Sequence, residues 1–146
     1  MDGPTYTRNF EGDRLAAYQD QMGLWTIGVG HLLGSDPSNA GTVWTQQQVD
    51  ETYVSDYALS QQGAIKDVGG VCYQKLSYPR QCVLNDMAFN LGAEGLGAFH
   101  SMISYLLSED WNMASDALLN SKYARQLPRR AKSNALILET GEWPND

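Results

Sequence analysis

The stretch LAAYQDQMGLWTIGVGHLL, residues 15–33, decides the fold. From Trp25 the apolar residues recur at every second position, so Trp25, Ile27 and Val29 fall on one face and Thr26, Gly28 and Gly30 on the other. A period of two is that of a strand. Between the apolar runs, Gln19-Asp20-Gln21-Met22-Gly23 supplies turn residues, which places Asp20 at a hairpin tip or just before it. The stretch reads as a small β-meander.

Upstream, residues 3–11 are predicted to form a short helix with Phe10 turned inward, ending at Gly12 in the left-handed conformation. Glu11 then stands at a helix C-terminus, whose partial negative charge favours a protonated carboxyl. Downstream, residues 34–42 form a polar loop, and Thr45 with Gln48 resembles a capping box that starts a long helix. Val49, Tyr53, Tyr57 and Ile65 keep approximate helical spacing until Gly69-Gly70 ends it. Further helices are predicted over about 80–91, where Val83, Leu84, Met87, Ala88 and Leu91 make the apolar face, and over 98–107, 110–119 and 128–139, the last with Pro128 in a permitted first-turn position. The expected architecture is α+β, one domain over 1–146: an N-terminal helix (1–12), a β lobe (13–44), a joining helix (45–68) and a larger helical lobe (69–146), with a ligand cleft between the lobes. There is no internal repeat or low-complexity tract.

A chain of 146 residues, 42% hydrophobic, can bury roughly 70% of its unfolded surface in a core of its own. No run approaches the roughly 18 apolar residues of a membrane span, and Met1-Asp2-Gly3-Pro4 lacks the basic and apolar regions of a signal peptide. Neither stable membrane insertion nor an export signal is expected. With 17 Asp+Glu against 10 Lys+Arg and a net charge of -7, non-specific binding to nucleic acid or anionic membranes is disfavoured. The one cationic run, Arg125, Arg129, Arg130 and Lys132, reads as a solvated helix face. Cys72 and Cys82 come without CxxC or Cys/His spacing, which argues against a metal and leaves open either two free thiols or a disulfide.

Cleaving a glycosidic bond needs one carboxyl kept protonated and a group across the bond that activates water or stabilises positive charge. Glu11 and Asp20 can supply that pair. Glu11, eight intervening residues, Asp20, five more and then Thr26 reproduce the catalytic spacing of the phage lysozymes of glycoside hydrolase family 24. Glu11-Gly12, Leu15, Tyr18-Gln19-Asp20 and Thr26 through Leu33 resemble the N-terminal block of that family, in its T-even phage branch. Residues 45–56, 88–92, 97–99, 126–132 and 140–143 resemble later blocks, so the likeness covers nearly the whole chain.

The resemblance implies a lysozyme-like two-lobed fold and hydrolysis, with inversion, of the bond between N-acetylmuramic acid and N-acetylglucosamine in bacterial peptidoglycan. It implies Glu11 as general acid, Asp20 and Thr26 as the residues that orient water, and no metal or organic cofactor. Arg130 resembles the arginine that supports the catalytic glutamate, although a nearby cation also favours the ionised carboxylate. Leu32, Phe89, Asn90 and Gln126 occupy substrate-binding positions, with Asn90 standing where the nearest branch has glutamine. His31 and Asp56 resemble a structural ion pair. A monomer is implied, held in the host cytoplasm until a separate holin releases it to the periplasmic wall, or else fixed to a virion. The acidic charge favours the tethered arrangement, in which tethering replaces electrostatic steering. The rival readings are a virion-associated wall-binding or structural module and a lytic transglycosylase; intact Glu11, Asp20 and Thr26 favour hydrolysis.

Overall fold

The computed structural model describes residues 1–145. The order is helix α1 (Gly3–Phe10), strands β1 (Arg14–Gln19), β2 (Trp25–Gly28) and β3 (His31–Gly34), a 3-10 turn (Pro37–Asn39), then helices α2 (Gln46–Val68), α3 (Gly70–Lys75), α4 (Tyr78–Gly97), α5 (His100–Leu107), α6 (Trp111–Leu119), α7 (Lys122–Gln126) and α8 (Pro128–Thr140). The fold class is α+β, as the periodicities predicted. The described residues form two compact units, Pro4–Leu59, and Met1–Gly3 with the chain from Ser60 onward.

In the first unit the three strands make an antiparallel meander in the order β1-β2-β3, with Tyr18 opposite Thr26 and Thr26 opposite Leu32. The alternation predicted through Gly30 stops at Gly28. Val29 and Gly30 form the reversal into β3, where Gly28 (φ +65°) and Gly30 (φ +66°) adopt left-handed backbone that a side chain would resist. Thr26, Ile27 and Gly28 are all buried, so both faces of β2 are covered rather than one. The outer edge of β1 is covered too, because the Ala17 N–H donates to Thr42 O and the Trp44 N–H to Leu15 O, both at 2.8 Å.

The capping box forms reciprocally: the Thr45 N–H donates to Gln48 Oε1 (2.8 Å) and the Gln48 N–H to Thr45 Oγ1 (3.2 Å). Along α2 the buried stripe runs Val49, Tyr53, Tyr57, Ala64 and Val68. Ile65, expected on it, is only half-buried, because seven residues and not eight complete two turns after Tyr57. Gly69, at φ +87°, ends the helix.

In the helical unit α4 is longer than the predicted 80–91 and is broken by Gly92 (φ +77°). Ser77 caps its start by accepting from the Arg80 N–H (3.3 Å). Asp110 and Ser121 cap α6 and α7 in the same way, and Gly141 closes α8 in the left-handed conformation. Helices α3 and α7, of six and five residues, are too short to show a period and were not anticipated. The core is Val83, Leu84, Met87, Leu96, Met102, Leu106, Leu118, Ile137 and Leu138, each buried. Such side chains contribute about 1.5–3 kcal/mol apiece on leaving water. Cys72 is half-buried and Cys82 buried, and no disulfide joins them.

Candidate active site

Glu11 is half-buried and lies one residue beyond α1, its N–H donating to Arg8 O at 3.1 Å in a final tight turn. Gly12 does not take the left-handed conformation expected of it, since the tight turn at Arg8–Glu11 already ends the helix. Phe10 is half-buried rather than in the core, its ring packed edge-on against buried Tyr6 at 5.2 Å.

The turn after β1 is organised by Asp20. Its Oδ1 accepts the N–H groups of Met22 (2.8 Å) and Leu24 (2.9 Å), while its own N–H donates to Leu24 O (2.8 Å). That same carbonyl accepts the Thr26 hydroxyl at 3.2 Å. Asp20 and Thr26 are thus both fastened to the peptide groups of Leu24. With Oδ1 committed to the turn, Oδ2 takes none of the hydrogen bonds found among the described residues. Once its hydroxyl proton points at Leu24 O, Thr26 Oγ1 keeps its lone pairs as acceptors.

Behind the meander, His31 Nδ1 lies 2.7 Å from Asp56 Oδ2, joining β3 to α2, and the imidazole also packs against Trp44 at 5.5 Å. Leu32 is exposed at 56%.

In the helical unit Phe89 is half-buried and Gln126, the last residue of α7, is exposed. Asn90 is half-buried, and its Oδ1 is buried with no hydrogen-bond partner among the described residues. A buried acceptor left unpaired costs about 1–3 kcal/mol. Arg130 corrects the reading of a solvated cationic face. While Arg125, Arg129 and Lys132 are exposed, Arg130 is buried and grips Asp86 with two hydrogen bonds, Nε to Oδ2 (3.0 Å) and Nη2 to Oδ1 (2.8 Å). Asn134 Nδ2 donates to the same carboxylate (3.0 Å) and lies 3.2 Å from the Tyr123 hydroxyl.

Asp86, Asn134 and Tyr123 escaped the sequence reading. The available signal was an acid inside the apolar run Val83, Leu84, Met87, Ala88, a place where a carboxylate needs a buried partner. Arg80 escaped it too. Its Nε donates to Leu138 O (2.8 Å) and its Nη2 to Glu139 O (3.0 Å), finishing the C-terminus of α8, and its guanidinium lies 3.7 Å over the Trp111 ring. Burial holds this guanidinium below its ordinary value.

A cavity of about 490 Å³ lined by Gly69, Cys72, Lys75, Leu106, Glu109 and Trp111 contains none of the predicted site residues. No cluster of three or more His, Cys, Asp or Glu side chains able to hold a metal occurs among the described residues.

The family model for phage lysozyme matches residues 8–136, a span that takes in the turn at Glu11, the Asp20–Leu24–Thr26 arrangement and the Asp86–Arg130 pair. The chain is 31% identical to the endolysin of Salmonella phage P22, over 94% of this chain and 95% of that protein. It is 25% identical to probable T4-type lysozyme 2 of Dictyostelium discoideum, over 90% and 89% of the two chains. It is also 30% identical to the pre-baseplate central spike protein Gp5 of Enterobacteria phage T4, over 92% of this chain but only 27% of the spike protein. The chain therefore spans about a quarter of one relative and nearly all of two others. With an α+β fold, a three-stranded meander and a match across most of its length, the chain belongs to the phage lysozyme family.

Proposed function

We propose that this chain is a muramidase, a glycoside hydrolase that cleaves the β-1,4 bond between N-acetylmuramic acid and N-acetylglucosamine in bacterial peptidoglycan, with inversion. Membership of the phage lysozyme family supports the activity. The observation that carries the mechanism is the shared anchoring of Asp20 and Thr26 on Leu24.

Hydrolysis with inversion requires water on the face of the sugar opposite the leaving group. A water that donates one hydrogen to Asp20 Oδ2 and the other to Thr26 Oγ1 keeps an oxygen lone pair for the anomeric carbon. As that bond forms, Asp20 takes the proton from the water, and Glu11 gives its proton to the departing glycosidic oxygen. The two anchors leave the water little orientational freedom to lose, which is the entropic part of the catalysis. Arg130 keeps the supporting role that the family likeness gives it, and its grip on Asp86 fixes where its charge lies. Asn90 keeps the substrate-binding role that the family likeness gives its position. Leu32, Phe89 and Gln126 complete the binding residues, while His31 and Asp56 serve as a structural pair.

The protein acts as a monomer. No described helix is long and apolar enough to cross a membrane. As an endolysin, a reading favoured by the 31% identity to the P22 protein, it waits in the host cytoplasm for a separate holin. The likeness to a stretch of the T4 spike, together with the net charge of -7, favours instead a lysozyme fixed to a virion component.

Incubating the purified chain with Gram-negative peptidoglycan tests the reading. Hydrated reducing ends by mass spectrometry, with the α-anomer as first product by NMR, are expected. Anhydro ends would assign a lytic transglycosylase, and wall binding without cleavage a binding module.

A further inference from the structure

Glu11 occupies a short link between Phe10, the last residue of α1, and Arg14, the first of β1. Beside it, Gly12 is exposed, and no atom of the described residues lies within 4 Å of the place a Cβ would take. Contacts flanking the link bear on where a general acid here stands.

Arg8 supplies contacts on both flanks. Its carbonyl accepts the Glu11 N–H (3.1 Å). Its Nη2 donates to Asp13 Oδ2 (2.5 Å), two residues beyond Glu11, and to Asp50 Oδ1 on α2 (2.8 Å). Asp50 is itself steadied by Gln46 Nε2 at 3.0 Å. The guanidinium also lies 5.4 Å from the centre of the Tyr53 ring, whose hydroxyl donates to Pro4 O (2.5 Å). The residues before and after Glu11 are thereby tied to each other and to one long helix.

We propose that Arg8 is a positioning residue for hydrolysis: through Asp13 and Asp50 it fixes the link that carries Glu11, so that the acid stays on the line of the leaving oxygen. The inference rests on Glu11 being the general acid. Exposed ion pairs add little to stability, whereas displacing a reacting group by about 1 Å can cost on the order of 100-fold in rate. The effect of Arg8 is therefore expected in kcat rather than in folding or binding.

The test compares wild type, Arg8→Met, Arg8→Lys and Asp13→Asn on soluble glycan-strand fragments, with Tm measured alongside. Arg8→Met is expected to lower kcat about 10- to 30-fold with KM within about twofold, Arg8→Lys to recover most of that loss, and Asp13→Asn to lower kcat about threefold. If Arg8→Met does not fold, the other two variants still decide. Wild-type kcat in Arg8→Met or, failing its folding, in Asp13→Asn would overturn the proposal, as would a loss residing in KM or an Arg8→Lys variant without activity. A wild-type chain that does not cleave, or a fully active Glu11→Gln, would remove the underlying reading; an active wild type and an inactive Glu11→Gln beside an unaffected Arg8→Met would remove this inference alone.

Discussion

Arg8, in the unit built from Pro4–Leu59, and Arg130, in the helical unit, each bind carboxylates through short charge-assisted hydrogen bonds, but in opposite surroundings. The Arg8 side chain is 30% exposed and its partners Asp13 and Asp50 are 39% and 51% exposed, whereas Arg130 and Asp86 are 6% and 0% exposed. Water and salt compete with the first arrangement and scarcely reach the second. In the helical unit the Arg130–Asp86 pair is sealed, hydrogen-bonded and set inside the core, so removing one member strips a buried charge of these bonds. In the N-terminal unit they fasten a loop from outside, where exposed pairs contribute little to folding and, on the inference above, act on the placement of Glu11.

The largest effect on folding is expected from breaking the sealed pair. Asp86→Ala should cost about 3–5 kcal/mol in urea unfolding, because Arg130 keeps its charge and loses both hydrogen bonds to this carboxylate. That cost should be insensitive to salt. A loss below 1 kcal/mol, or one erased by salt, would abolish the distinction between the units. Next comes a local feature of the N-terminal unit, since Thr45→Ala removes one half of the capping box of α2 and should cost about 1 kcal/mol.

The exposed clamp gives a smaller effect with a defined pH dependence. The Arg8 hydrogen bond, followed by that from Gln46, holds the Asp50 carboxyl below its ordinary value of 3.8. A carboxyl lowered on folding stabilises above its unfolded value, and that contribution is lost as pH falls through the folded one. The Tm difference between wild type and Asp50→Asn should therefore be constant from pH 7 to about 5, shrink below pH 4, and diminish in 1 M salt. Asp67 sharpens the contrast with the opposite sign. Burial raises its carboxyl above the ordinary 3.8, and its Oδ2 has no hydrogen-bond partner among the described residues. Stability is then lost as pH rises through the folded value, and Asp67→Asn should raise Tm at pH 7 by about 1–2 °C while changing nothing below pH 3.

Features governed by neighbours in the chain were legible in the sequence. The period of two from Trp25, the turn chemistry around Asp20, the capping box at Thr45 and the glycine stop at Gly69 each depend on residues a few positions apart. The overrun of β2 into Val29 and Gly30 came from continuing an alternation past glycines that the backbone needed for a reversal. The ionic clusters were not legible, because Arg8 meets Asp50 across 42 residues and Arg130 meets Asp86 across 44, distances at which no local pattern links an acid to a base. For the same reason Arg130 read as surface charge, although its neighbours Arg129 and Lys132 are exposed as expected. Of the candidate site, the spacing of Glu11, Asp20 and Thr26 was visible, whereas the part played by Leu24, which acts only through its peptide groups, left no trace in side-chain identity.

The account stands on Glu11 as the proton donor for glycosidic cleavage. The most direct measurement is the rate of release of reducing ends from purified peptidoglycan by wild type and by Glu11→Gln, an isosteric change that removes the transferable proton, with pelleting on intact wall measured for both. A fall of about 100- to 10,000-fold in rate with unchanged pelleting is predicted. Cleavage by Glu11→Gln within about threefold of wild type would contradict it.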